Sequence, residues 1–259
     1  MSAGDLPNLV VKLGGTTIAQ EREVLREIAA ERQARAVVVV HGGGKRLTEW
    51  LARLGVESRF EAGLRVTDDA ALEVALGVLG GVVNGELVAA LRSMGADAVG
   101  LRGLDGGLLR GERAPGLGRV IGEPRAEPSL LSQLLEVGRL PIVAPLGLDD
   151  EGVICNVNAD DAAAAISSAL GGELVLLTDV DGVRGADGER IAELTPATAE
   201  ALIAEGVIAG GMVPKVRSAL RALQPGSAAS RAIVADGRAP DALRRALDEG
   251  AGTSFRNAD

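Results

Sequence analysis

The chain has 259 residues, 47% of them hydrophobic and 24% charged, the balance of a globular protein and not of a disordered or fibrous one. A formal net charge of −9 speaks against a nucleic-acid backbone as partner, and the single cysteine, Cys155, allows no intramolecular disulfide and stands in no metal-ligand spacing. The first residues lack a basic stretch followed by an apolar one, so the expectation is a cytoplasmic protein with no membrane partner and no metal held by the protein itself.

In chain order, the apolar run Leu9-Val10-Val11-Lys12-Leu13 is followed by a charged helical pattern over residues 17–33 and a second run, Ala36 to His41, which makes a βαβ opening. Further strands are predicted at 97–101, 140–144, 174–178 and 232–235. These runs are continuously apolar, as strands covered by helices on both faces must be. The predicted class is α/β: a three-layer αβα sandwich with a mainly parallel central sheet. Gly- and Pro-containing stretches at 103–128 and 147–154 read as inserted hairpins or loops. The softest boundary falls near 169–172, dividing the chain into an N-terminal lobe, 1–170, and a C-terminal lobe, 171–259.

Residues 69–92 form the longest helical pattern, with Leu72, Ala75, Leu76, Leu79, Val83, Leu87 and Leu91 on one stripe. A second stripe, Gly77, Gly81, Gly85 and Ala89, recurs every four residues although each helical Gly costs about 1 kcal/mol relative to Ala. Two readings stand open: tight packing on the chain's own sheet, or close approach of the same helix from a second subunit.

Four glycine-rich turns follow strands, at Lys12-Leu13-Gly14-Gly15, His41-Gly42-Gly43-Gly44, Asp179-Val180-Asp181-Gly182 and Gly210-Gly211-Met212. Such turns expose backbone N–H groups to phosphate or carboxylate oxygens. No GxxxxGK[ST] is present, which excludes a Walker-type site, and no GxGxxG follows the first strand. The cations add information: 24 are Arg and three are Lys, yet Lys12 and Lys215 both stand in strand-end or glycine motifs. A compact ammonium suits a crowded phosphoryl group better than a planar guanidinium does. His41, ending an apolar strand, reads as structural, and Lys45 has no assigned role.

The ordered set Lys12 to Gly15, His41 to Gly44, Gly63-Leu-Arg-Val-Thr-Asp68, Asn156-Val-Asn-Ala-Asp160, Leu177 to Gly182, Gly210 to Lys215 and Asp236-Gly-Arg238 resembles the amino-acid kinase superfamily from about Leu9 to Thr253. Within it, the Arg65 and Asn156 segments resemble the N-acetylglutamate kinase family. The resemblance implies the amino-acid kinase fold and phosphoryl transfer from ATP, its Mg²⁺ carried by the nucleotide, to the side-chain carboxylate of N-acetyl-L-glutamate, a step of arginine biosynthesis. An ionised carboxylate needs no general base, which agrees with a chain holding one His.

By that resemblance Lys12 and Lys215 flank the transferring group and Asp160 holds both in register. Gly43, Gly44, Arg65 and Asn156 bind the acyl amino acid, Arg65 as a bidentate clamp. Gly14, Gly15, Thr178, Asp179, Val180, Asp181, Gly182, Val207, Ile208, Ala209, Gly211 and Met212 bind the nucleotide, with aliphatic walls in place of aromatic stacking. The N-terminal lobe is then the substrate-binding and dimerising one and the C-terminal lobe the ATP-binding one. A homodimer through residues 69–92 is expected, without arginine inhibition, since few residues precede the first strand. Asp160 also fits a plainer role, an acid in the first turn of a helix capped by Asn158, which Asp161 fits better. Two alternatives remain: a kinase for aminoadipate or glutamate on an amino-group carrier protein of lysine biosynthesis, and a non-catalytic effector-binding member of the fold.

Overall fold

The structure, a computed structural model, describes residues 7–14, 18–61 and 63–257. Its centre is an eight-stranded sheet in the order Glu193–Leu194, Thr253–Phe255, Ala229–Asp236, Gly172–Thr178, Leu9–Leu13, Val37–His41, Leu140–Ala144, Ala98–Arg102. All neighbours pair in parallel except Thr253–Phe255 against Ala229–Asp236. The strands are apolar throughout because both faces are covered. Val10, Val38, Val40, Leu174 and Leu176 face one apolar layer, and Leu9, Val11, Val37, Val39, Val175 and Leu177 the other. Each such side chain contributes about 1.5–3 kcal/mol by leaving water, so register is strongly specified.

Helices Ile18–Glu31, Asn84–Ser93 and Ala242–Asp248 supply one outer layer, and Ala159–Leu170 and Met212–Ala222 the other. The expected αβα sandwich is therefore present. The predicted strands all form, within one to three residues of the expected ends; the helix expected over 17–33 is described from Ile18 to Glu31, Thr17 lying outside the described residues.

The insertions at 103–128 and 147–154 do more than connect. They build a second, five-stranded sheet in the order Val120–Ile121, Ile154–Val157, Leu146–Leu148, Leu109–Arg110, Arg125–Ala126. A separate hairpin, Arg59–Glu61 with Leu64–Val66, was not predicted; its short strands have no apolar run to mark them.

The expected boundary coincides with a chain reversal between helix Ala159–Leu170 and strand Gly172–Thr178. Gly172 has φ 94°, and a Cβ there would sit 2.0 Å from the Asn8 carbonyl oxygen, so only glycine allows the strand to enter beside Leu9–Leu13. Four strands from residues 172–255 make one half of the sheet and four from 9–144 the other. The halves meet at Leu9–Leu13 and Gly172–Thr178.

The predicted helix over 69–92 runs from Asp69 to Ser93 but not uniformly. Asp68 caps Asp69–Gly77 by accepting from the Ala71 N–H at 2.8 Å, a π-helical turn spans Val78–Val83, and Asn84–Ser93 continues as α-helix. The π-turn carries Asn84 inward. Its Nδ2 donates to the Ile142 carbonyl at 2.9 Å, with the Leu101 carbonyl at 3.3 Å and His41 Nε2 at 3.2 Å.

Candidate active site

Four neighbouring parallel strands end at one edge of the sheet, and the segments leaving them are those the sequence marked: Gly14, Gly42 to Gly44, Asp179 to Gly182 and Gly237-Arg238. In open α/β sheets this carboxyl edge is where ligands bind. Lys12 is the penultimate residue of its strand, in register with Val40 on one side and Leu176 on the other, so its ammonium emerges at that edge.

Asn158 caps helix Ala159–Leu170, its Oδ1 accepting from the N–H groups of Asp160 at 2.8 Å and Asp161 at 3.2 Å. With the first turn so fixed, two successive acids point roughly 100° apart around the axis. Asp160 lies 2.7 Å from Lys12 Nζ and 3.4 Å from Lys215 Nζ, the latter from the first turn of helix Met212–Ala222. Burial pushes the Asp160 carboxyl up, but the two ammonium groups outweigh it and hold the pKa below the usual carboxylate range. One carboxylate serves both ammonium groups in a site where Lys12 and Asp160 are buried, and Asp179 lines the cavity beside Lys215.

Asp161 faces the other way, accepting from Ser218 Oγ at 2.5 Å and pairing with Arg221, both on the helix that carries Lys215. Burial is the largest influence and raises its pKa despite Arg221. The cap role is thus Asn158's, and the two acids fasten one helix to both lysine-bearing elements.

Three cavities line this edge in sequence. The first, about 310 Å³, is bounded by Gly43, Gly44, Lys45, Phe60, Arg65 and Asn156, with Lys12 and Asp160 at its inner end. A second, about 280 Å³, lies between Lys12, Gly14, Thr178, Asp179 and Lys215. The third, about 640 Å³, is walled by Asp179 to Gly182, Val207, Ile208, Ala209 and Met212. Lys12 lines the first two; Asp179 and Arg238 line the last two.

The predicted site residues are therefore brought together with two exceptions. Gly211 lines no wall of these cavities: the Gly210-Gly211-Met212 turn was expected after a strand but follows helix Pro196–Ala204 and leads into helix Met212–Ala222, the apolar stretch Val207 to Ala209 being too short to pair; Gly15 lies outside the described residues. The third cavity has no aromatic residue in its wall, as expected.

Gly43 has φ 129°, and a Cβ there would meet Leu79 at 2.8 Å; this backbone turn presents the N-terminus of helix Gly44–Arg53 to the first cavity. No side chain caps that helix and no acid stands in its first turn. His41, just before, is a structural residue: Nδ1–H donates to the Gly42 carbonyl at 2.7 Å and Nε2 accepts from Asn84. Burial lowers its pKa to about 4, so it stays neutral.

Arg65 stands on the unpredicted hairpin, its guanidinium 4.6 Å above the Phe60 ring. Its guanidinium donors meet the chain itself. Nη2 donates to the Gly44 carbonyl at 3.0 Å and Thr48 Oγ1 at 2.8 Å, and Nη1 donates to Ser58 Oγ. Asn156 Nδ2 donates to Thr67 Oγ1 at 3.3 Å.

Sequence reasoning left out Lys45, Phe60 and Arg238. Arg238 had a signal, the Asp236-Gly-Arg238 motif; its Nη2 donates to the Asp179 carbonyl at 2.5 Å and its Nε to Asp236 Oδ1 at 2.9 Å, joining two cavity walls. Phe60 had none, because its role depends on hairpin pairing.

A parallel α/β sheet with two lysines joined by a carboxylate at its carboxyl edge defines a small-molecule phosphoryl-transfer fold, and the chain belongs to the amino acid kinase family, which it matches over residues 8–236. Among curated proteins it is similar to the acetylglutamate kinase of Jannaschia sp., 43% identical over 256 residues, covering 96% of this chain and 89% of that one. It is likewise similar to the acetylglutamate kinase of Rubrobacter xylanophilus, 49% identical over 220 residues, covering 84% and 85%. Among solved structures it resembles the N-acetylglutamate synthase of Neisseria gonorrhoeae, complexed with coenzyme A and N-acetyl-glutamate, with a TM-score of 0.82 and 25% identity over 97% of this chain and 60% of that one.

Proposed function

We propose that this chain is an acetylglutamate kinase, transferring the γ-phosphoryl group of ATP to the side-chain carboxylate of N-acetyl-L-glutamate. The observation that carries the reading is Lys12, which lines two cavities at once and is tied through Asp160 to Lys215. In this reading the acyl amino acid fills the first cavity, the transferring group passes the second, and the nucleotide occupies the third against aliphatic side chains. The C-terminal lobe, 171–259, is then the nucleotide lobe and 1–170 the substrate lobe.

The acceptor carboxylate is ionised at pH 7, so the residues have charge and distance to manage, not a proton. Lys12 and Lys215 offset the negative charge that spreads over the equatorial and leaving oxygens, and Asp160 keeps both ammonium groups in place before the substrates arrive. The backbone N–H groups of Gly14, Gly43 and Gly44 face the phosphate path. In this reading Asn156 hydrogen-bonds the acetamido or α-carboxyl end of the substrate.

In this reading Mg²⁺ arrives on the nucleotide's phosphates, beside Asp179, the carboxylate that lines both the second and the third cavity. Such an ion neutralises part of the triphosphate charge.

A homodimer through residues 69–92 belongs to the same reading. Gly77, Gly81, Gly85 and Ala89 are exposed, and a Cβ on any of the three glycines would meet nothing within 4 Å beyond the helix backbone. The alternative of packing on the chain's own sheet is excluded by that exposure. The same reading makes it a cytoplasmic enzyme.

Hydroxylamine trapping of the acyl phosphate tests the reaction. With ATP and N-acetyl-L-glutamate the wild type should form hydroxamate, with little from aspartate, free glutamate or a carrier-linked glutamate. Lys215→Arg should lower kcat at least ~100-fold, the scale of losing one preorganised charge contact, with KM changed little. No hydroxamate from the wild type, or a Lys215→Arg enzyme of normal kcat, overturns the proposal.

A further inference from the structure

Of the two lysines that meet Asp160, Lys215 is held less closely. Its Nζ stands 3.4 Å from the carboxylate against 2.7 Å for Lys12, and its side chain is 24% exposed against 9%. The helix that carries it, Met212–Ala222, starts without a side-chain cap and without an acid in its first turn, after Gly210 at φ 57°. The start of that helix therefore lacks the local devices that anchor a first turn.

The anchor lies one and two turns further along. Ser218 Oγ donates to Asp161 Oδ1, and Arg221 Nη1 pairs with the same oxygen. The Ser218 hydroxyl also lies 2.9 Å from the carbonyl oxygen of Pro214, the residue before Lys215. Asp161 is 6% exposed, and its N–H is held by Asn158 together with that of Asp160. Successive residues of one capped turn thus reach Lys215 by two routes: Asp160 meets its ammonium, and Asp161 holds its helix. Apolar packing does not duplicate the second route. Ala162, Ala163, Ala219 and Ala222 are what these two helices bring to the shared apolar layer nearby, and such short side chains interdigitate little. Beside Asp161 and Arg221 lies a cavity of about 560 Å³, also lined by Ser168 and Gln224, where a filled core would otherwise set the spacing.

We propose that Asp161 is a positioning residue of the reaction: through Ser218 and Arg221 it sets helix Met212–Ala222 against helix Ala159–Leu170, and with it the place of the Lys215 ammonium relative to Asp160 and Lys12. The inference rests on the kinase reading and deepens it, because it separates the acid that touches the lysines from the acid that sets how far apart they stand. Asp161 lines none of the three cavities that the reading gives to the substrates and the transferring group. Its loss therefore leaves ground-state binding in place and weakens a charge contact that matters most in the transition state, so the effect falls on kcat and not on KM.

The test is hydroxamate kinetics, with ATP and N-acetyl-L-glutamate each varied, on wild type, Asp161→Leu, Asp161→Asn and Ser218→Ala, and on Lys215→Ala with and without each of these. Asp161→Leu keeps the volume and removes the acceptor; it should lower kcat about 10- to 100-fold, the scale of a reacting group misplaced by up to about 1 Å, with both KM values within about twofold. Asp161→Asn keeps an oxygen for Ser218 and Arg221 and should hold kcat within about fivefold of wild type. Ser218→Ala, which removes one of the two ties, should lower kcat with KM unchanged and carries the test if Asp161→Leu does not fold. In the Lys215→Ala background none of these substitutions should change kcat by more than about twofold, because the group they position is gone. Replacing a buried ion pair by an apolar residue is often neutral for stability, so kcat and the urea midpoint should part company. A normal kcat in folded Asp161→Leu or in Ser218→Ala, an equal loss with and without Lys215, or a kcat that follows the urea midpoint through the series overturns the inference while the kinase reading stands. A wild type that forms no hydroxamate overturns the kinase reading and the inference with it, a failure visible before any substitution is compared.

Discussion

Asp160 and Asp161 are adjacent, both acidic and both buried, yet their environments drive them apart: two lysines hold one carboxyl below the usual range, and burial lifts the other above it. Composition singled out Lys12 and Lys215 because the rest of the chain uses Arg. It could not show that one carboxylate joins them, since 55 residues separate Asp160 from Lys215 and only the packing of two helices brings them within 3.4 Å. The buried His41 has a measurable consequence. Its pKa falls from 6.5 to about 4, so the unfolded chain binds the proton first, and the stability held above pH 6.5 is lost as pH falls toward 4. The shift corresponds to about 3 kcal/mol at most. Asp161 and Glu27, whose pKa values burial raises, act with the opposite sign over part of that range. Urea unfolding between pH 4 and 7 should therefore show a shallower acid loss in His41→Gln than in the wild type; parallel profiles would refute the role given to burial.

The helix from Asp69 to Ser93 shows what an element's pattern reveals and what it conceals. Its apolar spacing predicted length and position, whereas the π-turn at Val78–Val83 left no periodic mark because one residue of slippage disappears among small side chains. The slip aims Asn84 at backbone carbonyls of two strands and at His41, and a Cβ at Gly100 would lie 2.2 Å from Asn84 Oδ1, so this inward fit is close. Asn84→Ala strands the Ile142 carbonyl and His41 Nε2 in a buried space. It should cost about 2 kcal/mol of unfolding free energy, from unsatisfied polar groups, read as a lower urea midpoint. A change under about 0.5 kcal/mol would show that water or a shift of the helix makes good the loss.

At the scale of the whole molecule, the same helix passes the length and apolarity of a membrane span, with mean hydropathy 1.8 over its most apolar window, and only 33% of that window is buried. An outward apolar face with a track of exposed glycines calls for a cover, and in the proposed dimer a second copy across a two-fold axis is that cover. Sedimentation equilibrium at micromolar concentration should give twice the chain mass, and Gly81→Glu, which sets a charge in the track, should give monomers that stay folded by circular dichroism. A monomeric wild type would remove the dimer. The amino-acid order by itself marked the αβα class, six of the eight strands of the central sheet and the two lysines set apart from the arginines, because these depend on local periodicity and side-chain chemistry; the short strands Glu193–Leu194 and Thr253–Phe255 carry too few residues to show a period. The resemblance already named Asp160 as the acid between the two lysines; only the tertiary structure decided that Asp161 turns instead to Ser218 and Arg221, that the Arg65 donors meet Gly44, Thr48 and Ser58, and that an apolar-poor hairpin forms beside the first cavity. Those are distances between segments far apart in the chain, and sheet order and helix packing, not sequence neighbours, set them.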